Sequence, residues 1–471
     1  MNSYNRLAKS SVIFAIGNIG SKLIYILLVP LYTYHLSTAQ YGTVDLITTT
    51  LSLLIPIFTL SIFDAVLRFA LDNSYDTKLI LVQGLTITII GFLISLLMYP
   101  IFILVFPFDQ YIVYLYILLF FQSINNTLLQ FVRAIGKVKL FAGSSLISAF
   151  VVLICNLIFI VILDWNIKGF LISLIFSYII SCLLLFILGR MHNYWSTNFF
   201  DTKIIKEMLF YSVPLIPNAI MWWVMGASDR YIISYMMGIG ANGMYAVATK
   251  LPSILNILNS VFIQAWQVAA IEEGSSKEKS QFYSNVFNVF SIGILILTSI
   301  LIIFLKLILK IFVSPDYFEV WRYVPFLFLG VVFSSFSSFY GANYIAMKNT
   351  KGVFKTSIFG AVFNIIANII LVPYMGINGA AISTMLSFLL MWILRVFDTR
   401  DFVKIKINKK RFIFTIFIIL TQIAILYINL NMEYIIQTLL FIVLLLINRK
   451  DVHIILIKVI ILVKTKLLKK I

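Results

Sequence analysis

Long apolar runs alternate with short polar breaks along the whole chain. Each run has close to the about 20 residues that a helix needs to cross a bilayer. The runs lie at residues 11–36, 43–70, 79–106, 111–133, 140–163, 167–189, 207–237, 243–271, 281–313, 322–346, 353–374, 377–397, 411–429 and 432–448. The pattern therefore predicts an all-α integral membrane protein with about fourteen transmembrane helices.

The composition agrees with a membrane protein. Hydrophobic residues make up 61% of the chain and charged residues 11%, whereas soluble domains carry about 25% charged residues. The net charge is +18, but the sequence has no long polar segment that could form a nucleic-acid surface. Neither a nucleic-acid partner nor a cofactor is expected. Cys155 and Cys182 lie in apolar runs without metal-ligand spacing, so no metal site is expected either.

The placement of basic residues predicts the orientation. Most of the 36 Lys and Arg residues lie in alternate breaks and in the C-terminal tail, and such residues mark the cytoplasmic side. The opposite breaks hold only Lys168, Lys306, Lys310 and Arg322. Both termini are therefore predicted to lie in the cytoplasm.

Two end segments need their own interpretation. The first run contains Lys22 and has no small-residue cleavage site, so it is interpreted as an uncleaved first helix and not as a signal peptide. The stretch that begins at His453 is interrupted by Lys458 and is too short to span. It is predicted to lie as a helix on the anionic inner surface of the membrane.

The chain repeats itself. Two apolar stretches, 164–185 and 374–395, share a pattern, and so do the runs before them; a weaker match links the first two runs to the seventh and eighth. These matches pair Gly169 with Gly379, Ser173 with Ser383, Asn156 with Asn368 and Gly42 with Gly243. They predict an N-terminal lobe of helices 1–6 (1–200), a C-terminal lobe of helices 7–12 (201–402), and two extra helices with a basic tail (403–471).

An even number of helices in each copy means that the two lobes are related by an axis along the membrane normal. In such proteins the binding site lies between the halves and is exposed to each side in turn. The repeat therefore predicts a site formed by helices 1, 2, 7 and 8. Prolines that permit kinks lie in the same four helices, at Pro30, Pro56, Pro214, Pro217 and Pro252.

Once the charged residues that are counted with the breaks are set aside, those left inside the predicted spans are concentrated in these same four helices. The cations are Lys22, Arg68, Arg230 and Lys250, and the carboxylates are Asp45, Asp64 and Asp229. A charge at mid-bilayer is costly, so it persists where it faces a polar cavity or a partner. The four cations are predicted to bind an anionic substrate, and Asp64 and Asp229 to pair with a cation or to carry a coupling proton or sodium ion.

Spacing along the helices suggests which charges meet. Asp64 and Arg68 are four residues apart and share one helix face, so they can pair. Asp229 and Arg230 are adjacent, point about 100° apart and need different partners. Arg230 and Lys250 each lie about 10 Å from the outer end of their helices, so the sequence predicts a cationic pocket there.

Polar side chains inside other spans leave two interpretations open. They are Asn125, Asn126, Gln264, Gln267, Asn364 and Asn368. Such amides could bind hydroxyl-rich groups of a substrate, or they could hold helices together.

One longer stretch carries a family resemblance. The segment from Pro214 to Lys250 resembles the seventh-helix region of polysaccharide flippases, the polysaccharide transport family of the MOP exporter superfamily. The matching positions are Pro214, Pro217, Trp222, Asp229, Arg230, Gly238, Gly243, Tyr245, Ala248 and Lys250, and residues 375–384 resemble that family's twelfth-helix entry. The likeness covers helices 1–12 in length and order.

The resemblance implies a function and a location in the bacterial cytoplasmic membrane. Members of this family move an undecaprenyl-pyrophosphate-linked oligosaccharide from the cytoplasmic to the outer leaflet for capsule, O-antigen or exopolysaccharide assembly. The partners it implies are the lipid-linked oligosaccharide, membrane lipids, and the polymerase and glycosyltransferases of the same pathway. An anionic carrier with a hydroxylated glycan suits a cationic, amide-lined site.

Three other functions compete with this interpretation. A lipid II flippase shares the anionic carrier, and a multidrug or cation antiporter shares the fold. A membrane glycosyltransferase or polymerase would need a catalytic loop. The longest outer break holds Asp316 and Glu319 within about ten residues, which is poor support for catalysis and favours a protein that is not an enzyme.

Overall fold

The computed structural model describes residue 17 and residues 19–196, 200–273, 278–347, 350–428 and 430–454. All regular secondary structure in these residues is helical. Contacts divide the chain into two compact units, Met1–Ala246 and Val247–Ile471. The surface tail predicted from His453 lies almost wholly outside the described residues.

The first unit contains the N-terminal helices. Residues 19–27 are helical, and the further helices are α1 (Val29–His35), α2 (Thr38–Phe58), α3 (Ile62–Ala70), α4 (Thr77–Leu97), α5 (Tyr99–Val105), α6 (Ile112–Ala134), α7 (Val138–Asn156), α8 (Asn166–Leu188), α9 (Thr202–Ser212), α10 (Ile216–Met237) and α11 (Ile239–Ala248). A π-helical turn, Leu157–Ile162, extends α7, and a 3-10 turn, Val213–Leu215, joins α9 to α10.

The second unit contains the remaining helices. They are α12 (Lys250–Glu273), α13 (Lys279–Ile303), α14 (Leu305–Phe312), α15 (Val324–Ala346), α16 (Thr350–Met375), α17 (Ile377–Asp398), α18 (Lys409–Ile428) and α19 (Glu433–Ile447).

Twelve helices in the described residues are long and apolar enough to cross a membrane, so the all-α membrane fold is confirmed. Each corresponds to one predicted span, from Thr38–Phe58 to Lys409–Ile428. The first predicted span begins outside the described residues, and the last is a shorter helix, Glu433–Ile447. The number of about fourteen therefore stays a prediction.

Prolines lie where helices are interrupted. Pro56 is inside α2, just before a break at residues 59–61 in which Leu60 and Ser61 adopt the left-handed conformation, with φ of 52° and 51°. Pro214 lies in the turn between α9 and α10, and Pro217 is the second residue of α10. Proline removes a backbone donor and clashes with the preceding turn, which explains the interruption of the seventh predicted span at Pro214. In the second span the break follows Pro56, and the Ser61 N–H donates to the Pro56 carbonyl oxygen at 2.9 Å.

The internal repeat is visible in how paired helices touch. A Cβ atom on Gly169 would lie 2.9 Å from the carbonyl oxygen of Phe159, and one on Gly379 would lie 2.4 Å from that of Leu371. Phe159 and Leu371 each stand three residues after the paired asparagines of the repeat. The hydroxyls of Ser173 and Ser383 each donate to the glycine carbonyl, both at 2.8 Å. Both copies thus use the same close helix contact.

The two C-terminal helices are tied to the second unit by buried polar contacts. The Lys306 ammonium lies 2.6 Å from the Glu433 carboxylate, 3.0 Å from the carbonyl oxygen of Leu426 and over the ring of Trp321. Deeper in the unit, the Ser299 hydroxyl donates to Gln422 at 2.7 Å. Because a broken buried ion pair is costly, these contacts fix α18 and α19 against α13 and α14.

Orientation gives a test by chemical labelling. We expect a cysteine introduced at exposed Gln110, in the break after α5, to react with an impermeant thiol reagent added to sealed cells. One at exposed Lys406 should be protected, because the basic breaks are predicted to face the cytoplasm. Asn242 is no useful reporter, since it is fully buried. Labelling at 406 together with protection at 110 would reverse the predicted orientation.

Candidate functional site

The ends of α2 and α11 cross with almost no space between their backbones. A Cβ atom on Gly42 would lie 2.1 Å from the carbonyl oxygen of Ile239, and one on Gly243 would lie 1.9 Å from that of Thr38. Thr38 and Ile239 stand four residues before the two glycines. The contact is therefore reciprocal between two copies of one motif, and glycine is required on both sides of it.

Alanine at this crossing should be poorly tolerated. We expect Gly243→Ala to lower the yield of monodisperse protein strongly, because a methyl group would overlap a backbone carbonyl that cannot move without separating the helices. Gly226→Ala is the matched control, since a Cβ on Gly226 meets no atom within 4 Å. Size-exclusion chromatography of the two variants decides the matter, and equal elution profiles would contradict the requirement.

A buried ion pair lies close to this crossing. The Arg230 guanidinium of α10 donates through Nε to the Asp45 carboxylate of α2 at 2.7 Å, and through Nη1 to the carbonyl oxygen of Gly226 at 2.8 Å. The two side chains are 13% and 8% exposed. Arg230 is thus neutralised by a carboxylate from another helix, which changes the prediction of an open cationic pocket at this position.

The neighbouring carboxylate has a different partner, as the 100° offset predicts. The Tyr245 hydroxyl donates to Asp229 at 2.5 Å, and both residues are 1% exposed. The Arg230 guanidinium lies over the ring of Tyr245. Two hydrogen-bonded pairs and a cation–π contact therefore connect α2, α10 and α11.

Further polar contacts join α2 to α10 along their length. The Trp223 indole donates to the carbonyl oxygen of Thr49 at 3.0 Å, and Tyr231 and Thr50 share a hydrogen bond between their hydroxyls. Since unpaired polar groups are costly away from water, these bonds hold the two helices at a fixed register.

A cavity of about 690 Å³ opens deeper along the same helices. Its charged residues are Asp64 and Arg68 of α3, and its amides are Gln122, Asn126 and Asn218. The side-chain oxygen of Asn218 is buried and lacks a hydrogen-bond partner in the structure. Such a lining offers one cation, one carboxylate and several amide groups to a polar ligand.

The cavity and the buried ion pair lie at two levels of the same helix. Ser52 and Pro56 both line the cavity, and both follow Asp45 in α2. Pro56 is eleven residues after Asp45, which corresponds to roughly 16 Å along a helix axis. Arg68 and Arg230 therefore occupy separate environments within the first unit.

The structure corrects the predicted partner of Arg68. The spacing predicts a pair with Asp64. The Arg68 guanidinium instead lies 3.6 Å from the carboxylate of Asp72, which follows Arg68 by four residues. Arg68 is near the end of α3, so its long side chain reaches toward the polar end of the helix. Both groups are more than a third exposed, so the pair is weak.

Asp72 is itself held in the charged form by its loop. The Ser74 hydroxyl and backbone N–H donate to its carboxylate at 2.7 and 3.1 Å, which lowers the pKa of Asp72 below its usual value; the nearby Arg68 charge adds to this. Arg68 therefore has a charged but exposed partner, and its side chain also lines the cavity.

The remaining predicted residues lie in other places. The Lys22 side chain is exposed, and Lys250 begins α12 in the second unit. Asn125 donates to the Ser181 hydroxyl at 2.6 Å and holds two helices together, whereas its neighbour Asn126 lines the cavity. Asn125 therefore fits the interpretation as a contact between helices, and substrate binding by Asn126 stays a prediction.

Some buried charged contacts were not predicted from the sequence. Arg395, near the end of a predicted span, is 2% exposed and donates to the carbonyl oxygen of Ser337 at 2.9 Å. Lys306 lies in the ninth predicted span and Glu433 at the start of the fourteenth, yet they form a buried pair. The Asp45–Arg230 pair could have been predicted from the sequence, because both residues lie near the predicted outer end of their spans.

The fold and the cavity define a polytopic helical membrane protein with a charged, amide-lined site. The sequence pattern of the family described as polysaccharide biosynthesis protein matches residues 7–271, more than half of the chain. The chain belongs to this family.

One curated relative matches part of the chain. An uncharacterized membrane protein of Methanocaldococcus jannaschii is 29% identical over 233 residues, which is 46% of this chain and 46% of the relative. The aligned region thus spans about half the length of that relative.

Solved structures of transporters share the fold. The lipid II flippase MurJ in an inward closed conformation has a TM-score of 0.69 at 16% identity, over 95% of this chain and all of that one. An inward-facing multidrug resistance MATE family transporter has a TM-score of 0.62 at 15% identity, over 85% and 98%. A MOP superfamily transporter from Pyrococcus furiosus, described as having a binding pocket of reverse polarity, has a TM-score of 0.60 at 13% identity, over 84% and 96%.

Proposed function

We propose that this protein moves an undecaprenyl-pyrophosphate-linked oligosaccharide from the cytoplasmic to the outer leaflet of the bacterial cytoplasmic membrane by alternating access. The observation that carries the proposal is a cavity with one loosely held cation and several amides, in a chain of the polysaccharide biosynthesis protein family.

The chemistry of the cavity suits such a substrate. A pyrophosphate needs a cation with several donors, and the Arg68 guanidinium provides them in a planar fork. The glycan needs hydrogen-bond donors and acceptors, which Gln122, Asn126 and Asn218 supply. Asp64, in the same lining, is the candidate group for a coupling proton or sodium ion.

In this proposal Arg230 has a different role from Arg68. Because its charge is balanced by Asp45, Arg230 contributes little attraction to a distant anion in this conformation. In this conformation Arg230 would instead hold α2 against α10. It would bind the pyrophosphate only in a conformation in which Asp45 and Arg230 are separated. Lys22 and Lys250 remain proposed substrate contacts.

Lipid II transport is the second candidate function. It is favoured by the likeness to the lipid II flippase structure over nearly the whole chain. The carrier lipid is common to both substrates, so the cation in the cavity suits either one. The family match favours the polysaccharide precursor.

The experiment compares the two substrates in one system. The full chain is reconstituted into vesicles that contain an undecaprenyl-pyrophosphate oligosaccharide with a fluorescent sugar, and an impermeant quencher reports the fraction in the outer leaflet. We expect the protein to make the inner-leaflet pool accessible, and lipid II carrying the same fluorophore to move more slowly. Equal accessibility in protein-free vesicles, or faster movement of lipid II, would overturn the proposal.

A further inference from the structure

A second cavity lies beside the polar one in the first unit. It is a groove of about 990 Å³ between the end of α2, one face of α4 and one face of α9. Apolar side chains line most of it, including Leu60, Ile90, Ile94 and Phe210, and Lys206 is its charged residue. Phe210 is 85% exposed and Ile94 is 50% exposed, so the groove is open at the surface of the unit.

The groove and the polar cavity share their walls. At the break after α2, Leu60 lines the groove and the next residue, Ser61, lines the polar cavity. Near the end of α9, Phe210 lines the groove and the next residue, Tyr211, lines the polar cavity. The broken second and seventh spans therefore separate an apolar space from a polar one at the same level.

The close approach of α4 to this break is built into the sequence. A Cβ atom on Gly91 would lie 1.8 Å from the carbonyl oxygen of Phe58, so no larger residue fits there. The left-handed conformation of Leu60 and Ser61, held by a backbone hydrogen bond from Ser61 to Pro56 at 2.9 Å, turns consecutive side chains toward the two cavities. The paired cavities are thus a fixed consequence of the helix break.

The charged residue of the groove lies near the predicted level of the lipid head groups. Lys206 is followed by Glu207, whose carboxylate accepts a 2.8 Å hydrogen bond from Tyr75 in the loop between α3 and α4. That loop belongs to a predicted cytoplasmic break. Lys206 therefore stands near the predicted inner membrane surface, with the apolar lining extending from it.

We infer that this groove binds the polyprenyl chain of the substrate, which passes between the breaks of the second and seventh spans while its pyrophosphate and glycan occupy the polar cavity. The inference rests on the proposed function. The free energy of binding an amphiphile is most favourable when each of its parts is buried in a space of matching polarity. The first unit has two such spaces, which share a wall. Lys206 gives the anionic end a first contact on entry.

Photolabelling of the full chain in vesicles tests the inference. The probe is undecaprenyl phosphate with a diazirine on its chain, and mass spectrometry locates the crosslinks. We expect labels on residues 87–94 and 205–214. Ile94→Trp should reduce this labelling about ten-fold, the factor that corresponds to about 1.4 kcal/mol of lost binding. Leu97→Trp, on the same helix and 77% exposed, should leave it unchanged.

Charge and lipid type provide the controls. Lys206→Gln should weaken labelling, whereas Lys203→Gln, also exposed on α9 but absent from the groove lining, should not. Phosphatidylglycerol with a diazirine on its acyl chain should label the groove less than the polyprenyl probe does. Equal labelling by the two probes would make the groove a site for ordinary membrane lipid and overturn the inference.

The outcomes separate the inference from the proposed function. Transport of the fluorescent substrate together with crosslinks outside the groove would leave the function standing and remove the chain site. Groove labelling by the polyprenyl probe that Ile94→Trp abolishes, without transport of the oligosaccharide, would support the chain site and contradict the proposed function.

Discussion

Replacing Asp45 with Asn should destabilise the protein by about 3 kcal/mol, because a buried guanidinium that loses its carboxylate is left uncompensated. The Arg230 side chain is 13% exposed and lies 2.7 Å from Asp45, so water can replace little of the lost interaction. The measurement is the temperature at which the purified protein loses its monodisperse peak in detergent. We expect a clear fall for Asp45→Asn.

Removing both charges should restore much of this loss. The double variant Asp45→Asn/Arg230→Gln leaves no unpaired charge, so it should be more stable than Asp45→Asn alone. Glu319→Gln is the matched control, because the Glu319–Arg322 pair is about half exposed and such pairs contribute about 0–1 kcal/mol. If Asp45→Asn were no less stable than Glu319→Gln, the pair would have no structural role.

The fold was predictable because the bilayer imposes a simple rule. Every backbone polar group must be paired within the membrane, so long apolar runs become helices. The twelve long helices found in the described part of the chain each match a predicted span. Repeated glycines were equally informative. Gly42 and Gly243 match in sequence because they lie at one reciprocal contact between two helix backbones. A Cβ atom on either glycine would overlap a carbonyl oxygen of the other helix.

Charge partners were harder to predict, since spacing along one helix says nothing of the neighbouring helix. The i,i+4 rule allows Arg68 both Asp64 and Asp72, and the choice depends on the direction in which a terminal side chain extends. The Asp45–Arg230 pair joins residues 185 apart in the chain. The two adjoining cavities depend on the left-handed break at Leu60 and Ser61, which an apolar pattern does not reveal.

The second large effect is expected in transport. Arg68→Gln should reduce movement of the fluorescent oligosaccharide by roughly ten- to a hundred-fold, because a charge-assisted hydrogen bond contributes about 1.5–3 kcal/mol. Asp72→Asn should leave transport within about two-fold, since it breaks only an exposed pair. The measurement is the quenching rate in vesicles with matched protein content. If Asp72→Asn were as inactive as Arg68→Gln, the exposed pair itself would matter, and Arg68 would lose its assignment as a phosphate contact.

Transport and thermal stability together determine what Asp64 does. If Asp64 served to neutralise Arg68, Asp64→Asn would lower the temperature at which the purified protein loses its monodisperse peak, and adding Arg68→Gln would restore that temperature by removing the unpaired charge. Because the ion pair of Arg68 is with Asp72, we expect Asp64→Asn to be inactive in transport with unchanged thermal stability. An asparagine amide carries no titratable proton and binds a cation less strongly than a carboxylate does, so this pattern is the one that a coupling group produces. A loss of stability that the double variant restores would return Asp64 to a pairing role, and full transport by Asp64→Asn alone would exclude both roles.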